Sequence, residues 1–305
     1  MPVDPSELSA ASRAGYYLSN LALQGVIGAM RLLPYERRIP AMGAIVSALG
    51  PLVGFRKRVR SNLKLTCPDM PKEDVERLCR EVPNTAGRAM MEHFSPEEFV
   101  ERHKTAPVSG PGVAAFDEAV AAGRPLMMIT GHFGNYLASR VALQARSGKD
   151  IGALYRRMAN PYFNESYVDA FHKTGEPMFE QGRRGMMEMV RSLKRGGIIA
   201  IVSDLHAHGG KELTFFGKPA VTSVLNAELA IKYGAVMIPC YGVRQPDGLN
   251  FEIVLHEPVP HSDPETMTQA LNDDLEKMVR QHMGQWFWIH RRWKSWHGLG
   301  VQEDV

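Results

Sequence analysis

A histidine between two glycines at the end of an apolar run can perform acid–base chemistry on a hydroxyl. The run Leu126-Met127-Met128-Ile129-Thr130 reads as a buried strand, and Gly131-His132-Phe133-Gly134-Asn135 then breaks it into a tight loop that opens onto the helical pattern of residues 136–146. The glycines let a substrate approach the backbone, and the amides at the start of the following helix favour negative charge. His132 is thereby placed to take a proton from an alcohol. The competing reading is a structural histidine in a strand-to-helix turn.

Other polar residues fall at comparable strand ends. Arg156 follows Tyr155, and its guanidinium suits a substrate phosphate, an acyl-donor phosphate or a neighbouring acid. Arg183 and Arg184 precede a helical pattern, where a basic pair is commonly just solvated. Asp204 closes the apolar run of residues 198–203 and could position Arg156 or an acceptor, or cap the next turn. His206 and His208, one residue apart and close to Asp204, raise a zinc reading that could include His132, although alternate histidines in a glycine-rich loop also line polar pocket rims. Phe215-Phe216-Gly217-Lys218-Pro219 supplies aromatic faces, a turn and a cation, and reads equally as a hydrophobic turn packed under a sheet.

Taken together and in order, Gly131-His132-Phe133-Gly134-Asn135, Tyr155-Arg156, Asp204, the segment from Phe215 to Thr222, and Trp288-Ile289-His290-Arg291-Arg292-Trp293-Lys294 resemble the late acyltransferases of lipid A biosynthesis, a branch of the glycerolipid acyltransferase superfamily. The similarity runs from about Arg58 nearly to the C-terminus. It implies a membrane-associated enzyme that moves a fatty acyl group from acyl carrier protein or coenzyme A to the hydroxyl of a 3-hydroxyacyl chain on a lipid. It also implies His132 as the base, Arg156 and Asp204 as further catalytic positions, substrate contacts from Gly131, Phe133, Gly134, Asn135, Tyr155, Arg183, Phe215, Phe216, Gly217 and Lys218, and no metal or other cofactor. The expected location is the cytoplasmic face of a bacterial inner membrane, peripheral or monotopic. The acceptor is a lipid A precursor or a lyso-aminolipid of the ornithine type, since both present such a hydroxyl.

One position departs from the superfamily signature, a histidine and a carboxylate with four residues between them. Counting from His132, the acid should stand at residue 137, which is Leu137. An orienting carboxylate fixes the imidazole tautomer and stabilises its positive charge, and leucine does neither. Three readings follow. The first, preferred here, is an inactivating substitution; the others are a natural relative using another acid, and a non-catalytic lipid-binding relative.

The elements that must hold these residues follow an alternating pattern from residue 106 onward. Strand candidates at 126–130, 151–155, 198–203, 236–243 and 251–255 are separated by helical patterns at 136–146, 162–174, 185–194 and 223–233. This is an α/β architecture, a mostly parallel sheet flanked by helices. The division expected is an N-terminal amphipathic, membrane-associating helical region over residues 1–65 and an α/β acyltransferase domain over residues 66–305. Residues 16–33 and 39–55 are apolar but interrupted, too marginal to span a bilayer, and read as helices lying in or dipping into one leaflet; helices packed on the protein's own core are the alternative.

No cleavable signal pattern opens the chain, where Asp4 and Glu7 come early. The cluster Arg56-Lys57-Arg58-Val59-Arg60 with Lys64 suits an anionic leaflet or an acidic carrier protein. A net charge of only +3 without a recognition motif argues against nucleic acid. Three cysteines without pairing pattern suggest reduced thiols. Residues 70–104 look helical, with a capping-box shape at Ser95-Pro96-Glu97-Glu98, and Asp263 caps a long amphipathic helix. After it, Trp286, Trp288, Trp293 and Trp296 with Arg291, Arg292 and Lys294 suit a membrane–water boundary or aromatic packing over a sheet edge.

Overall fold

The computed structural model describes residues 8–294. In chain order the elements are α1 (Ala10–Arg31), α2 (Tyr35–Leu49), α3 (Phe55–Thr66), α4 (Lys72–His93), α5 (Pro96–His103), β1 (Val108–Ser109), α6 (Val113–Ala121), β2 (Leu126–Thr130), α7 (Tyr136–Ser147), β3 (Ile151–Tyr155), α8 (Pro161–Thr174), β4 (Met178–Glu180), α9 (Arg183–Lys194), β5 (Ile198–Val202), β6 (Lys211–Phe215), β7 (Lys218–Thr222), α10 (Leu225–Tyr233), β8 (Val236–Arg244), β9 (Phe251–Leu255) and α11 (Pro264–Gln281).

One sheet of seven strands, ordered β1-β9-β8-β2-β5-β3-β4, runs through the protein. The stretch from β8 to β4 is parallel; β9 is antiparallel to β8 and carries β1 with it. All five side chains of β2 are buried, as a central parallel strand covered on both faces requires. On one face Phe99, Phe116, Leu137, Val141 and Leu143 meet the sheet; on the other Met189, Leu193, Leu229, Met267 and Leu271 do so. Neighbouring strands β2 and β5 are in register, with Thr130 opposite Val202, so the chains leave the sheet side by side.

The antiparallel hairpin β6–β7 stands apart from the main sheet. It turns on Phe216 and Gly217, both with positive φ (51° and 66°), the conformation of a tight two-residue hairpin loop. Phe215 and Phe216 are buried there against Trp286, Trp288 and Trp293. Trp286, Trp288 and Trp293 are therefore interior, at or below 1% exposure, and not a belt at a membrane boundary. Packing wins because each indole N–H is also satisfied: Trp286 bonds Asp204, Trp288 the Met283 carbonyl, and Trp293 the Phe215 carbonyl. Trp296 and residues 1–7 lie outside the described residues.

Ser95 precedes α5 as its sequence suggests, yet its hydroxyl donates to the Met91 carbonyl and accepts from Arg38 instead of capping the helix. Asp263 does cap α11, accepting from the amides of Glu265 and Thr266. No described helix is long and apolar enough to cross a membrane. In α1 only Ile27 is buried, while Tyr17, Leu18, Leu21 and Val26 are exposed, so its outer face is left apolar. The three cysteines are free thiols.

Candidate active site

The paired strands β2 and β5 deliver His132 and Asp204 to the same place. Each lies two residues beyond its strand, and the Ser203 amide still bonds the Thr130 carbonyl at 2.9 Å, extending the register past the sheet edge. Asp204 Oδ1 then meets His132 Nδ1 at 2.6 Å. Its other oxygen accepts from the His132 backbone N–H at 2.7 Å and from Trp286 Nε1 at 2.8 Å. The carboxylate is thus satisfied by three donors while buried at 2% exposure. Burial alone would raise its pKa, but the charge and hydrogen bonds of His132 outweigh that and hold it well below the usual carboxylate range. With Asp204 ionised, the proton of a neutral His132 sits on Nδ1 and Nε2 keeps its lone pair. The His132 side chain is 27% exposed, so that nitrogen's ring is not sealed from substrate.

The loop is clamped from behind. Gly134 donates to the Gln285 carbonyl at 2.9 Å, Phe287 donates to the His132 carbonyl at 2.9 Å, and Phe133 forms a bridge with Trp286. Gly134 has φ +52° and a Cβ there would lie 1.9 Å from the Gly242 carbonyl oxygen, so only glycine fits. Asn135 caps α7 through the Leu137 amide, and its own side-chain amide donates to Glu92 at 2.8 Å. Glu92, fully buried, is held in a two-pronged ion pair by Arg244 at 2.5 and 2.7 Å. Removing one member of such a buried pair costs about 3–5 kcal/mol. Asn62 of α3 braces the other side, donating to the carbonyls of Trp288 and His290. Arg292, buried, ties the same segment to β7 through Val221 and Thr222.

The His132 ring is collared by Tyr136, Phe287 and His290, with centroids 5.9, 6.4 and 4.4 Å away. Glu92 and Arg244 carry no sequence signal of a site, and His290 and Asn62, though they fall within the stretch that carries the resemblance, have no role readable there; only the strand order and the return of the C-terminal segment show what they touch. Leu137, in contrast, points into the core at 4% exposure among Phe99, Phe116, Val141 and Phe171.

Residues read together in the sequence are separated here. Asp204 engages His132, not Arg156, which is exposed after β3. Arg183, at the start of α9, is also exposed. Tyr155 is half-buried and directs its hydroxyl to Glu180 at 3.4 Å. The side chains of Phe133, Asn135, Phe215 and Phe216 face the interior, so their service to the site is to shape it; Gly131, too, is a close approach, since a Cβ there would lie 3.0 Å from Asp204 Oδ2. Gly217 is exposed at the hairpin turn and Lys218 half-buried beside it. His206 and His208 pack edge to face, 5.1 Å between centroids, and among the described residues no group of three metal-ligating side chains is assembled. A cavity of about 600 Å³ lies behind the clamp, bordered by Arg77, Asn84, Arg280 and Gln285, and does not include His132.

Comparison with known proteins extends this geometry. The chain is 24% identical to the lipid A biosynthesis lauroyltransferase of Escherichia coli over 92% of each protein. It is 24% identical to the lipid A biosynthesis acyltransferase of Haemophilus influenzae, over 80% of this chain and 79% of that one. A phosphatidylinositol mannoside acyltransferase of Mycobacterium tuberculosis is 23% identical over 60% of this chain and 58% of its own. The profile of the bacterial lipid A biosynthesis acyltransferases matches residues 7–295, and the chain belongs to that family.

Proposed function

We propose that the protein is a membrane-associated O-acyltransferase in which His132 is the general base and Asp204 the acid that orients it. The observation that carries this reading is the 2.6 Å contact of His132 Nδ1 with the buried Asp204. It supports the second of the three explanations for Leu137, a natural relative using another acid, over an inactivating substitution. His132 Nε2 takes the proton of a lipid hydroxyl as its oxygen attacks the thioester carbonyl carbon of the donor. The carbonyl π pair moves onto oxygen; it then returns, the carbon–sulfur bond breaks, and the leaving thiolate receives the proton from His132. Asp204 holds the tautomer and faces the imidazolium that forms.

The donor is acyl carrier protein or coenzyme A, and the acceptor a 3-hydroxyacyl chain on a lipid A precursor or a lyso-lipid. The range of acceptor types among the relatives, lipid A and phosphatidylinositol mannoside, leaves the head group to experiment. The exposed apolar face of α1 supports attachment to one leaflet, on the cytoplasmic side where both donors are found.

The test is acyl transfer by purified protein from acyl carrier protein and coenzyme A thioesters to a lipid A precursor and to a lyso-aminolipid, with His132→Ala in parallel. Transfer to at least one acceptor is expected, with a loss of about 10²–10⁴-fold in kcat in the variant. No transfer by the unaltered chain, or His132→Ala within tenfold of it, sinks the reading and favours a lipid-binding role.

A further inference from the structure

The least explained polar atom near His132 belongs to His290. The two rings pack edge to face at 4.4 Å, and the Phe287 ring lies 4.5 Å from His290 and 6.4 Å from His132. The His290 backbone is fixed, its N–H bonded to the Phe287 carbonyl and its carbonyl accepting from Asn62. Yet its Nε2 is buried with no hydrogen-bond partner among the described residues. An unmet buried nitrogen is a cost to the fold that a phenyl ring in the same place would not incur. A partner brought by the substrate accounts for it.

Two features define that partner. A hydroxyl oxygen whose proton goes to His132 must lie within about 3 Å of that ring's Nε2 and of the carbonyl carbon that it attacks, so the carbonyl oxygen comes within reach of a side chain packed on His132. The oxygen gains negative charge as the tetrahedral species forms, and it calls for a donor. Burial, reinforced by the charge of His132, lowers the pKa of His290 to about 3, so the ring stays neutral at working pH. Neutrality matters because His132 becomes positive in the same step, and a second imidazolium in ring contact would oppose the proton transfer.

We infer that His290 is a further catalytic residue, whose Nε2–H donates a hydrogen bond to the thioester oxyanion while His132 removes the acceptor's proton. No proton leaves His290, and it returns unchanged when the carbon–sulfur bond breaks. The carbonyl reaches it by displacing the half-buried Phe287 ring. This assignment rests on the acyl-transfer reading and adds the group that receives the negative charge.

The experiment measures kcat, KM and thermal midpoint for the unaltered protein, His290→Phe and His290→Gln, with His290→Leu in place of the phenylalanine variant if the larger ring does not fit. His290→Phe is expected to lose about 10²–10³-fold in kcat with KM within threefold, and to melt at or above the unaltered protein's temperature. His290→Gln, which keeps an N–H, should recover at least tenfold over it. Turnover within threefold in the apolar variant overturns the inference, as does a lowered midpoint that accompanies lost turnover in both variants, the signature of simple packing. An unaltered chain that transfers no acyl group removes the underlying acyl-transfer reading and this role with it, whereas activity insensitive to His290 removes this role alone.

Discussion

His93 and His132 show how one residue type is put to two uses in the same chain. His93 ends α4 in a nest of Phe94, Tyr167 and Phe171, 5% exposed, its Nε2 bonded to the Tyr167 carbonyl at 2.9 Å. Burial lowers its pKa to about 4 and leaves it neutral. His132 also touches aromatic rings, but a buried carboxylate bonds one nitrogen and the ring retains a solvent-facing surface. Aromatic surroundings therefore do not distinguish the two sites. The acid partner does, because it alone allows a ring to accept a proton without leaving a charge stranded in the interior.

The change that breaks this contrast most severely is Asp204→Asn. The shape is kept, but the amide presents N–H hydrogens toward a cluster of three donors, His132 N–H, His132 Nδ1–H and Trp286 Nε1–H. His132 would be turned to the wrong tautomer, and a fall of about 10³–10⁴ in kcat is expected, the scale seen when an orienting acid is lost elsewhere. Unmet donors should also lower stability by about 1–3 kcal/mol. Paired kinetics and denaturant unfolding check both; turnover within tenfold of the unaltered enzyme would make Asp204 a structural acid and erase the distinction from His93.

That Asp204 pairs with His132 was beyond the reach of the sequence, although both residues stood out in it. The apolar runs of β2 and β5 could be read because Gly131 closes the first and Gly196-Gly197 open the second, but which strands are neighbours is set by packing of whole helices, and 72 residues separate the two side chains. The hairpin β6–β7 was hidden for a related reason. Its strands carry Lys211, Glu212, Lys218 and Pro219, and only one flank is covered, so no apolar run marks them. The three interior tryptophans, mixed with arginines, give the same pattern whether they meet lipid or the hairpin. Helices with strong periodicity or a clear cap, such as α7, α8 and α11, were legible nearly to their ends.

A smaller effect sharpens the comparison through pH. Buried neutral histidines bind fewer protons folded than unfolded, so stability is full above the unfolded value near 6.5 and is lost as pH falls toward the folded value. For His93 and His103 that folded value is about 4, and burial is the leading cause for each. Asp204 acts in a separate window: its carboxyl is held below the usual range, so its contribution persists above about pH 4 and is lost only in stronger acid. His93→Phe should then remove about 2 kcal/mol of the difference in unfolding free energy between pH 7 and pH 5. An unchanged difference would mean that His93 is not held neutral by its nest.

The smallest effect on turnover is expected at the position where the family signature asks for an acid. Leu137→Glu restores that signature on paper, but the side chain of residue 137 lies in the core among Phe99, Phe116 and Phe171, and His132 Nδ1 already has a carboxylate. A glutamate there has two outcomes, both unproductive for catalysis. It can stay in place, protonated or costing several kcal/mol as an unpaired buried charge, offset by no more than about 1 kcal/mol from the nearby start of α7. Otherwise it can turn outward and leave a cavity where leucine packed. Turnover per folded molecule should remain within threefold of the unaltered protein while the thermal midpoint drops. A gain of tenfold or more would instead show that residue 137 reaches the imidazole in the working enzyme, that Leu137 is an inactivating substitution, and that the Asp204 contact serves the fold in the manner of the Tyr167 carbonyl beside His93.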